Sequence, residues 1–151
     1  MRANHHRPST LFAMSAIGLT LLGCESAAPA SPSAAATTIE IAGTWNDGFG
    51  GSETIATDKW VFPLGTSAIL EFDNAKNTAF LQAPKDDKYN PNKFSKIVWT
   101  EPAADSVHYC TVDMGKDTLP LAKASTLTAD DKDLVGKGCG GFGWTKLTTK
   151  K

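Results

Sequence analysis

The stretch Ile-Glu-Ile-Ala-Gly-Thr-Trp at residues 39–45 opens the regular part of this 151-residue chain and indicates its fold class. Its residues alternate, so that Ile39, Ile41 and Trp45 share one face of an extended strand while the residues between them take the other. The glycine-rich run Asp-Gly-Phe-Gly-Gly at residues 47–51 follows and predicts a tight turn. The domain is therefore expected to begin with a β-strand that buries one face.

The same period of two recurs along the chain in short runs separated by turn-forming residues. These predicted strands are residues 53–57, 59–62, 67–72, 78–82, 94–100, 106–113 and 143–148. Residues 128–135 predict a short helix, with Thr128 as the N-cap, Asp131 at the capping-box position and Gly136 as the stop signal. We expect an all-β domain, an antiparallel sandwich or barrel of about seven or eight short strands with one short helix.

The first 23 residues have the organisation of an export signal. Arg2 and Arg7 precede an apolar run at residues 11–23, which is too short to cross a bilayer, since a spanning helix needs about 20 apolar residues. The run ends in Leu-Leu-Gly-Cys at residues 21–24, which resembles the cleavage motif of bacterial lipoproteins. The alternative, a short buried core helix, does not account for the charged start and the small residue before Cys24.

A lipoprotein signal predicts both processing and location. Residues 1–23 would be removed, and Cys24 would carry the lipid that anchors the protein to a membrane of the bacterial cell envelope. Glu25 stands where many lipoproteins of the inner membrane have Asp, which favours the outer membrane. Residues 24–38 are rich in Ala, Ser, Pro and Thr, as in a disordered tether, and residues 39–148 form the β-domain.

The composition after processing excludes several classes of function. Residues 1–23 contain both arginines, so the remaining chain has 13 lysines, no arginine and 16 acidic residues, a formal net charge of −3. A mildly acidic chain without a basic run is a poor candidate for nucleic-acid binding. The absence of arginine also argues against bidentate recognition of carboxylate or phosphate groups.

Two cysteines remain once Cys24 is lipidated. In an exported protein the pair Cys110 and Cys139 predicts a disulfide. The alternative is a free thiol nucleophile next to His108, because residues 108 and 110 lie on the same face of a strand.

The second half of the chain resembles a family of small bacterial exported proteins and lipoproteins. The shared motifs are Asn-Pro-Asn-Lys-Phe-Ser-Lys-Ile-Val-Trp-Thr at residues 90–100, Tyr-Cys at 109–110 and Cys-Gly-Gly-Phe-Gly-Trp-Thr at 139–145. The resemblance runs in order from residue 44 to residue 147, although many relatives have proline where this chain has Gly143. It supports the domain boundaries and the disulfide, and it implies no particular activity.

A shorter likeness concerns the first strand. Gly-Thr-Trp at residues 43–45 is similar to the Gly-x-Trp start of calycins, the barrels of lipocalins and avidins. The chain departs from lipocalins because Lys146 stands near the last strand, where they have an arginine that stacks on the tryptophan. It departs from avidins because Asn46 and Ser52 are spaced differently from the residues that help to hold biotin.

Four tryptophans are the main candidates for ligand-facing residues: Trp45, Trp60, Trp99 and Trp144. They would line an apolar pocket or would simply fill the core, which is the commoner role of strand aromatics. Oxygen-bearing side chains at residues 86–92 suggest calcium, but their spacing is not that of an EF-hand and a solvated loop is favoured. We expect no metal and no cofactor.

The sequence favours a non-enzymatic β-domain that binds a protein or a small apolar ligand, in addition to its membrane contact through Cys24. His108 is the single histidine after residue 23, and it forms neither a catalytic triad nor a zinc motif with its neighbours. The alternative function is a small envelope hydrolase that uses carboxylates or His108, because the spatial pairing of carboxylates is invisible in a sequence. A purely structural envelope component is a third reading.

Overall fold

The computed structural model describes residues 37–150, so the predictions for the signal segment, Cys24 and most of the tether lie outside the described residues. Eight strands make up the domain: β1 (Gly43–Asn46), β2 (Ser52–Ile55), β3 (Lys59–Phe62), β4 (Gly65–Asp73), β5 (Thr78–Gln82), β6 (Phe94–Trp99), β7 (Ser106–Lys116) and β8 (Thr145–Thr149). A short 3-10 turn, Asn74–Lys76, and one helix, α1 (Leu119–Lys123), lie between them. Within this part of the chain, no helix is both long enough and apolar enough to span a membrane.

The strands form a closed antiparallel barrel in which each strand pairs with the next along the chain and β8 pairs with β1. The sequence left a sandwich and a barrel as alternatives, and the structure is a barrel. Closure depends on a short seam, because β1 and β8 are joined in register only at Trp45 with Thr149 and at Asn46 with Thr148. A closed barrel leaves no strand edge unpaired.

Alternation along the strands separates the core from the surface, as the sequence predicts. The inward residues include three tryptophans, and the buried core cluster consists of Ile39, Ile41, Trp45, Ile55, Trp60, Ile69, Ala79, Leu81, Ile97, Trp99, Val107, Tyr109 and Leu147. Most strands occur where the sequence places them, with ends that differ by at most three residues. The core fills the middle of the barrel.

The start of the domain differs from the sequence prediction, because β1 begins at Gly43 rather than at residue 39. Residues 39–42 form a turn in which the Ala42 amide donates to the carbonyl of Ile39 at 3.0 Å. Gly43 follows with a φ of 152°, which few side-chain-bearing residues adopt. Ile39 and Ile41 are nevertheless fully buried, so the alternating isoleucines close one end of the barrel instead of extending a strand.

The predicted helix at residues 128–135 is wrong, since these residues form turns and the helix lies at Leu119–Lys123. The Asp133 carboxylate accepts hydrogen bonds from the backbone amides of Gly136 and Lys137, which closes a local turn in place of a helical one. The carbonyl of Asp130, which a helix would need, accepts from the Trp144 indole at 3.0 Å. The true helix is capped by the Thr118 side chain and has a proline in its first turn.

The predicted disulfide between Cys110 and Cys139 is present. Cys110 lies on β7 between Tyr109 and Thr111, and both of these neighbours line the interior of the barrel, so the Cys110 side chain points outward. The bond therefore fastens the long segment between β7 and β8 to the outer wall. The free-thiol alternative is excluded for this pair.

Candidate functional site

The end of the barrel opposite residues 39–42 is open and contains a cavity of about 630 Å³. In an up-and-down barrel the β1–β2, β3–β4 and β5–β6 connections all lie at the same end, and these connections surround the cavity. The lining residues come from those connections and from the nearby strand ends: Asp47, Phe49, Gly51, Glu53, Phe62, Pro63, Leu64, Gly65, Thr66, Ser67, Asp87, Tyr89, Asn90, Tyr109, Thr111, Met114 and Thr145. The volume lies within the range of about 300–1,000 Å³ that is usual for small-molecule sites.

A buried carboxylate lies at the bottom of this cavity. Glu53 is on the inward face of β2 and is only 3% exposed. One of its oxygens accepts from the Trp60 indole at 2.6 Å, and the other accepts from the Tyr109 hydroxyl at 2.9 Å. Trp60 also stacks on Phe62, with ring centroids 5.3 Å apart. Trp60 and Tyr109 therefore hold the carboxylate in a defined position, and Phe62 packs against Trp60.

The surroundings of Glu53 disfavour its negative charge. Burial raises the pKa of this carboxyl above its ordinary value, and the nearby charge of Asp47 acts in the same direction, while the two hydrogen bonds oppose them. Burial and the negative charge of Glu53 also raise the pKa of the Tyr109 phenol, which stays a neutral hydrogen-bond donor. The four salt bridges found among the described residues all lie elsewhere, so Glu53 receives hydrogen bonds from neutral groups.

Asp47 shapes the loop that forms one side of the cavity. It is 5% exposed, and one carboxylate oxygen accepts from the backbone amides of Phe49 and Gly51, both at 2.8 Å. Gly48 and Gly50 both have positive φ, which the glycine-rich sequence allows. The predicted tight turn is thus a loop that is organised around a buried aspartate.

The rim of the cavity is apolar and exposed. Its four large side chains are between 58% and 90% exposed and come from four different segments: Phe49, Leu64, Tyr89 and Met114. Asp87 holds the Tyr89 segment in place, because its carboxylate accepts from the backbone amides of Tyr89 and Asn90. Those bonds lower the pKa of Asp87. A mouth with exposed apolar side chains is typical of a surface that binds a ligand or partner.

The four predicted tryptophans do not line this cavity. Trp45, Trp60 and Trp99 belong to the core cluster, and Trp144 packs outside the barrel against the segment before β8. Every indole N–H has an acceptor: Trp45 donates to the carbonyl of Ile41, Trp60 to Glu53, Trp99 to Glu40 and Trp144 to the carbonyl of Asp130. The aromatic side chains that line the cavity are Phe49, Phe62, Tyr89 and Tyr109.

The other sequence candidates lie apart from Glu53 or serve the loop structure. His108 does not line the cavity; it is opposite Lys146 in the β7–β8 pair, and burial together with that lysine lowers its pKa. Asp87 and Asn90, from the loop considered for calcium, line the rim. Within residues 37–150, no group of three or more His, Cys, Asp or Glu side chains is arranged to hold a metal ion.

Sequence reasoning missed Glu53 and Asp47, although a signal for Glu53 exists. In Ser-Glu-Thr-Ile at residues 52–55, alternation places Glu53 on the same face as Ile55. An acidic residue in register with a core isoleucine is a buried charge, and buried charges mark functional sites more often than exposed ones do. Asp47 gives no such signal, because aspartate before glycine is ordinary turn chemistry.

Comparisons with known proteins add no relative: no family model, curated protein or solved structure matches this chain.

Proposed function

We propose that this chain is a lipid-anchored binding protein of the bacterial cell envelope, whose barrel holds a small, partly apolar ligand at its open end. The supporting observation is the cavity of about 630 Å³ with aromatic walls, an exposed apolar rim and one buried carboxylate at its base. Apolar walls supply the affinity of such sites, and a few placed polar groups supply the orientation of the ligand. The lipid on Cys24 supplies the anchor to the membrane, with the outer membrane favoured.

The anchor is tested by replacing Cys24 with serine. The lipid is attached through the thiol, so Cys24→Ser is expected to move the protein from the membrane fraction to the soluble fraction of a diderm host. Ser26→Ala is the matched control, because it changes a nearby small residue and leaves the thiol in place. An unchanged distribution of Cys24→Ser would contradict the anchor without bearing on the cavity.

Ligand binding is tested with Nile red, a neutral apolar dye, and the purified full chain. Ser67 faces the cavity from β4, whereas its neighbour Ala68 is exposed on the outer face of the same strand. We expect saturable fluorescence enhancement with the wild type and with Ala68→Trp, and loss of it with Ser67→Trp, which places a bulky indole in the cavity. Equal enhancement by all three proteins would show that the dye binds elsewhere and would refute the proposed site.

A second candidate function is a small hydrolase, and one observation favours it: two carboxylates, Glu53 and Asp47, meet in one concave site, and the pKa of Glu53 is raised. Against it, the hydrogen bonds of Trp60 and Tyr109 engage both oxygens of Glu53, and Asp47 is engaged by its own loop. We therefore propose binding without catalysis. Turnover of chromogenic glycoside or ester substrates that is lost in Glu53→Gln would establish the hydrolase instead.

A further inference from the structure

The cavity carries an unbalanced negative charge, and this charge indicates the class of ligand. Three carboxylates line it, from Asp47, Glu53 and Asp87, and its lining includes no lysine although the described residues contain many. We propose that the cavity selects organic cations, in particular small amines with an aromatic or aliphatic body. This inference rests on the proposed function, because it names the chemistry of the ligand for the same site.

Glu53 is the group that a cationic ligand would satisfy. An ionised carboxylate accepts about four hydrogen bonds, and Glu53 receives one on each oxygen from a neutral donor. A buried carboxylate without a cationic partner is energetically unfavourable, and a cation that pairs with it removes part of this cost. The ammonium group of a ligand at the bottom of the cavity would supply both the missing charge and additional donors.

The aromatic walls favour the same ligand class. Phe62 and Tyr109 lie next to each other with ring centroids 6.4 Å apart, and Tyr89 stands at the rim. Aromatic faces attract ammonium groups within about 6 Å, and desolvation strengthens this attraction. The same rings provide an apolar surface for the body of the ligand. A neutral apolar molecule would use the walls alone, and an anion would meet like charges at the rim, the side and the base.

The lysines that form salt bridges do not line the cavity. Lys93 pairs with Asp117, Lys116 with Asp113 and Lys123 with Glu71, and none of these lysines lines the cavity. Lys88 is an exception at the rim: it lines the neighbouring surface depression and lies over the Tyr89 ring, 5.3 Å from its centroid. Lys88 therefore offsets part of the negative charge at the rim, whereas Glu53 and Asp47 set the field at the base and side of the cavity.

The experiment compares three probes that share a phenyl group and differ in charge: 2-phenylethylamine, 2-phenylethanol and 3-phenylpropanoate. Calorimetric titration of the full chain at pH 7 is expected to give an affinity for the amine at least tenfold higher than for the alcohol, and no measurable binding of the carboxylate. The affinity for the amine should also fall with added salt, whereas Nile red binding should not.

The variant Glu53→Gln should reduce the preference for the amine over the alcohol to less than threefold, and a cooperative urea unfolding transition followed by tryptophan fluorescence checks that the variant is folded. Glu101→Gln is the matched control at the closed end, where the hydrogen bond from Asn77 can be kept, and it should leave the preference unchanged. An alcohol that binds the wild type as tightly as the amine, with Nile red still bound, refutes cation selection and leaves the proposed function intact. If neither the amine nor Nile red binds, both proposals fail.

Discussion

Trp99 and Glu40 are 59 residues apart in the sequence, and the indole N–H of Trp99 donates to the Glu40 carboxylate at 2.6 Å. Asn74 adds to this link, because its side chain accepts from the Glu40 amide and donates to the carbonyl of Thr38. These bonds join the segment that precedes β1 to β6 and to the connection after β4. They fix Ile39 and Ile41 in the core, where the two isoleucines close this end of the barrel. We call the hydrogen bonds of Trp99, Glu40 and Asn74 the clasp.

Removing the acceptor should loosen this end. Glu40→Ala leaves the nearly buried indole N–H of Trp99 without its partner, and we expect a loss of about 1–2 kcal/mol in the free energy of unfolding. Glu40→Gln keeps an acceptor oxygen at the same position and is expected to cost less. Urea unfolding followed by tryptophan fluorescence measures both, and equal stability of wild type and Glu40→Ala would contradict the clasp.

Gly51 allows the buried aspartate at the side of the cavity. A Cβ at Gly51 would collide with the Asp47 carboxylate, which cannot move without losing its bonds to the amides of Phe49 and Gly51. Gly51→Ala is therefore expected to cost about 1–3 kcal/mol and to weaken Nile red binding. Gly65→Ala, where a Cβ meets nothing within 4 Å, is the control for stability and should change the free energy of unfolding little. A Gly51→Ala protein as stable as this control would show that the loop adjusts freely.

The disulfide closes a loop with a sequence separation of 29 residues. Cross-linking over this length restricts the unfolded chain, and the chain-entropy relation gives about 3–4 kcal/mol. We expect the double variant Cys110→Ala/Cys139→Ala to lose about this amount in urea unfolding. Reducing the wild type with dithiothreitol should give a similar loss and should not affect the double variant. A loss below about 1 kcal/mol in both experiments would mean that packing alone holds the β7–β8 segment.

The raised pKa of Glu53 makes a prediction for pH. The folded protein binds a proton at this carboxyl more tightly than the unfolded chain does, so the stabilisation from this group is complete below its ordinary pKa of 4.5 and is lost as the pH rises through the raised value. Glu53→Gln removes the titration. The stability of the variant relative to the wild type is therefore expected to increase between pH 4 and pH 7.

Subtracting the stability of the wild type from that of Glu53→Gln removes the contribution of the other carboxyl groups. Asp73, Asp87 and Asp117 have lowered pKa values, which we expect to be the same in both proteins. Their contribution is present above their ordinary pKa and is lost as the pH falls, which is the opposite dependence. Urea titrations of both proteins at several pH values provide the measurement. A stability difference that is independent of pH would show that the Glu53 carboxyl titrates normally.

The strands were predictable because their alternation is strong and local. Turn residues such as Asp73 and Asn74 mark the β4–β5 connection, and Asp73 does cap the 3-10 turn there. The alternation of Ile39 and Ile41 is equally strong. It predicts that both side chains are buried, but it does not decide whether they lie on a strand or on a turn that closes the end of the barrel. The deciding contact comes from Trp99, far along the chain.

The helix error has a related origin. The capping pattern at residues 128–136 is a local signal, and two contacts override it: the Trp144 indole binds the Asp130 carbonyl 14 residues away, and the Asp133 carboxylate binds the nearby amides of a competing turn. The cavity is likewise a property of the closed barrel, because its walls come from segments as distant as Phe49 and Thr145. Of the two buried carboxylates, Glu53 and Asp47, only Glu53 could have been recognised in the sequence, because it lies on the same face of its strand as the buried Ile55.

Because the number of antiparallel strands is even, the first strand begins and the last strand ends on the same side of the barrel. The described chain enters beside Asn74, at the Thr38 carbonyl, and β8 runs from the cavity end back towards this same side, where Thr149 pairs with Trp45. Both ends of the domain therefore leave the barrel on the face opposite its mouth. The cavity therefore opens on the side away from Thr38 and Thr149, so a ligand that enters it does not pass either end of the described chain.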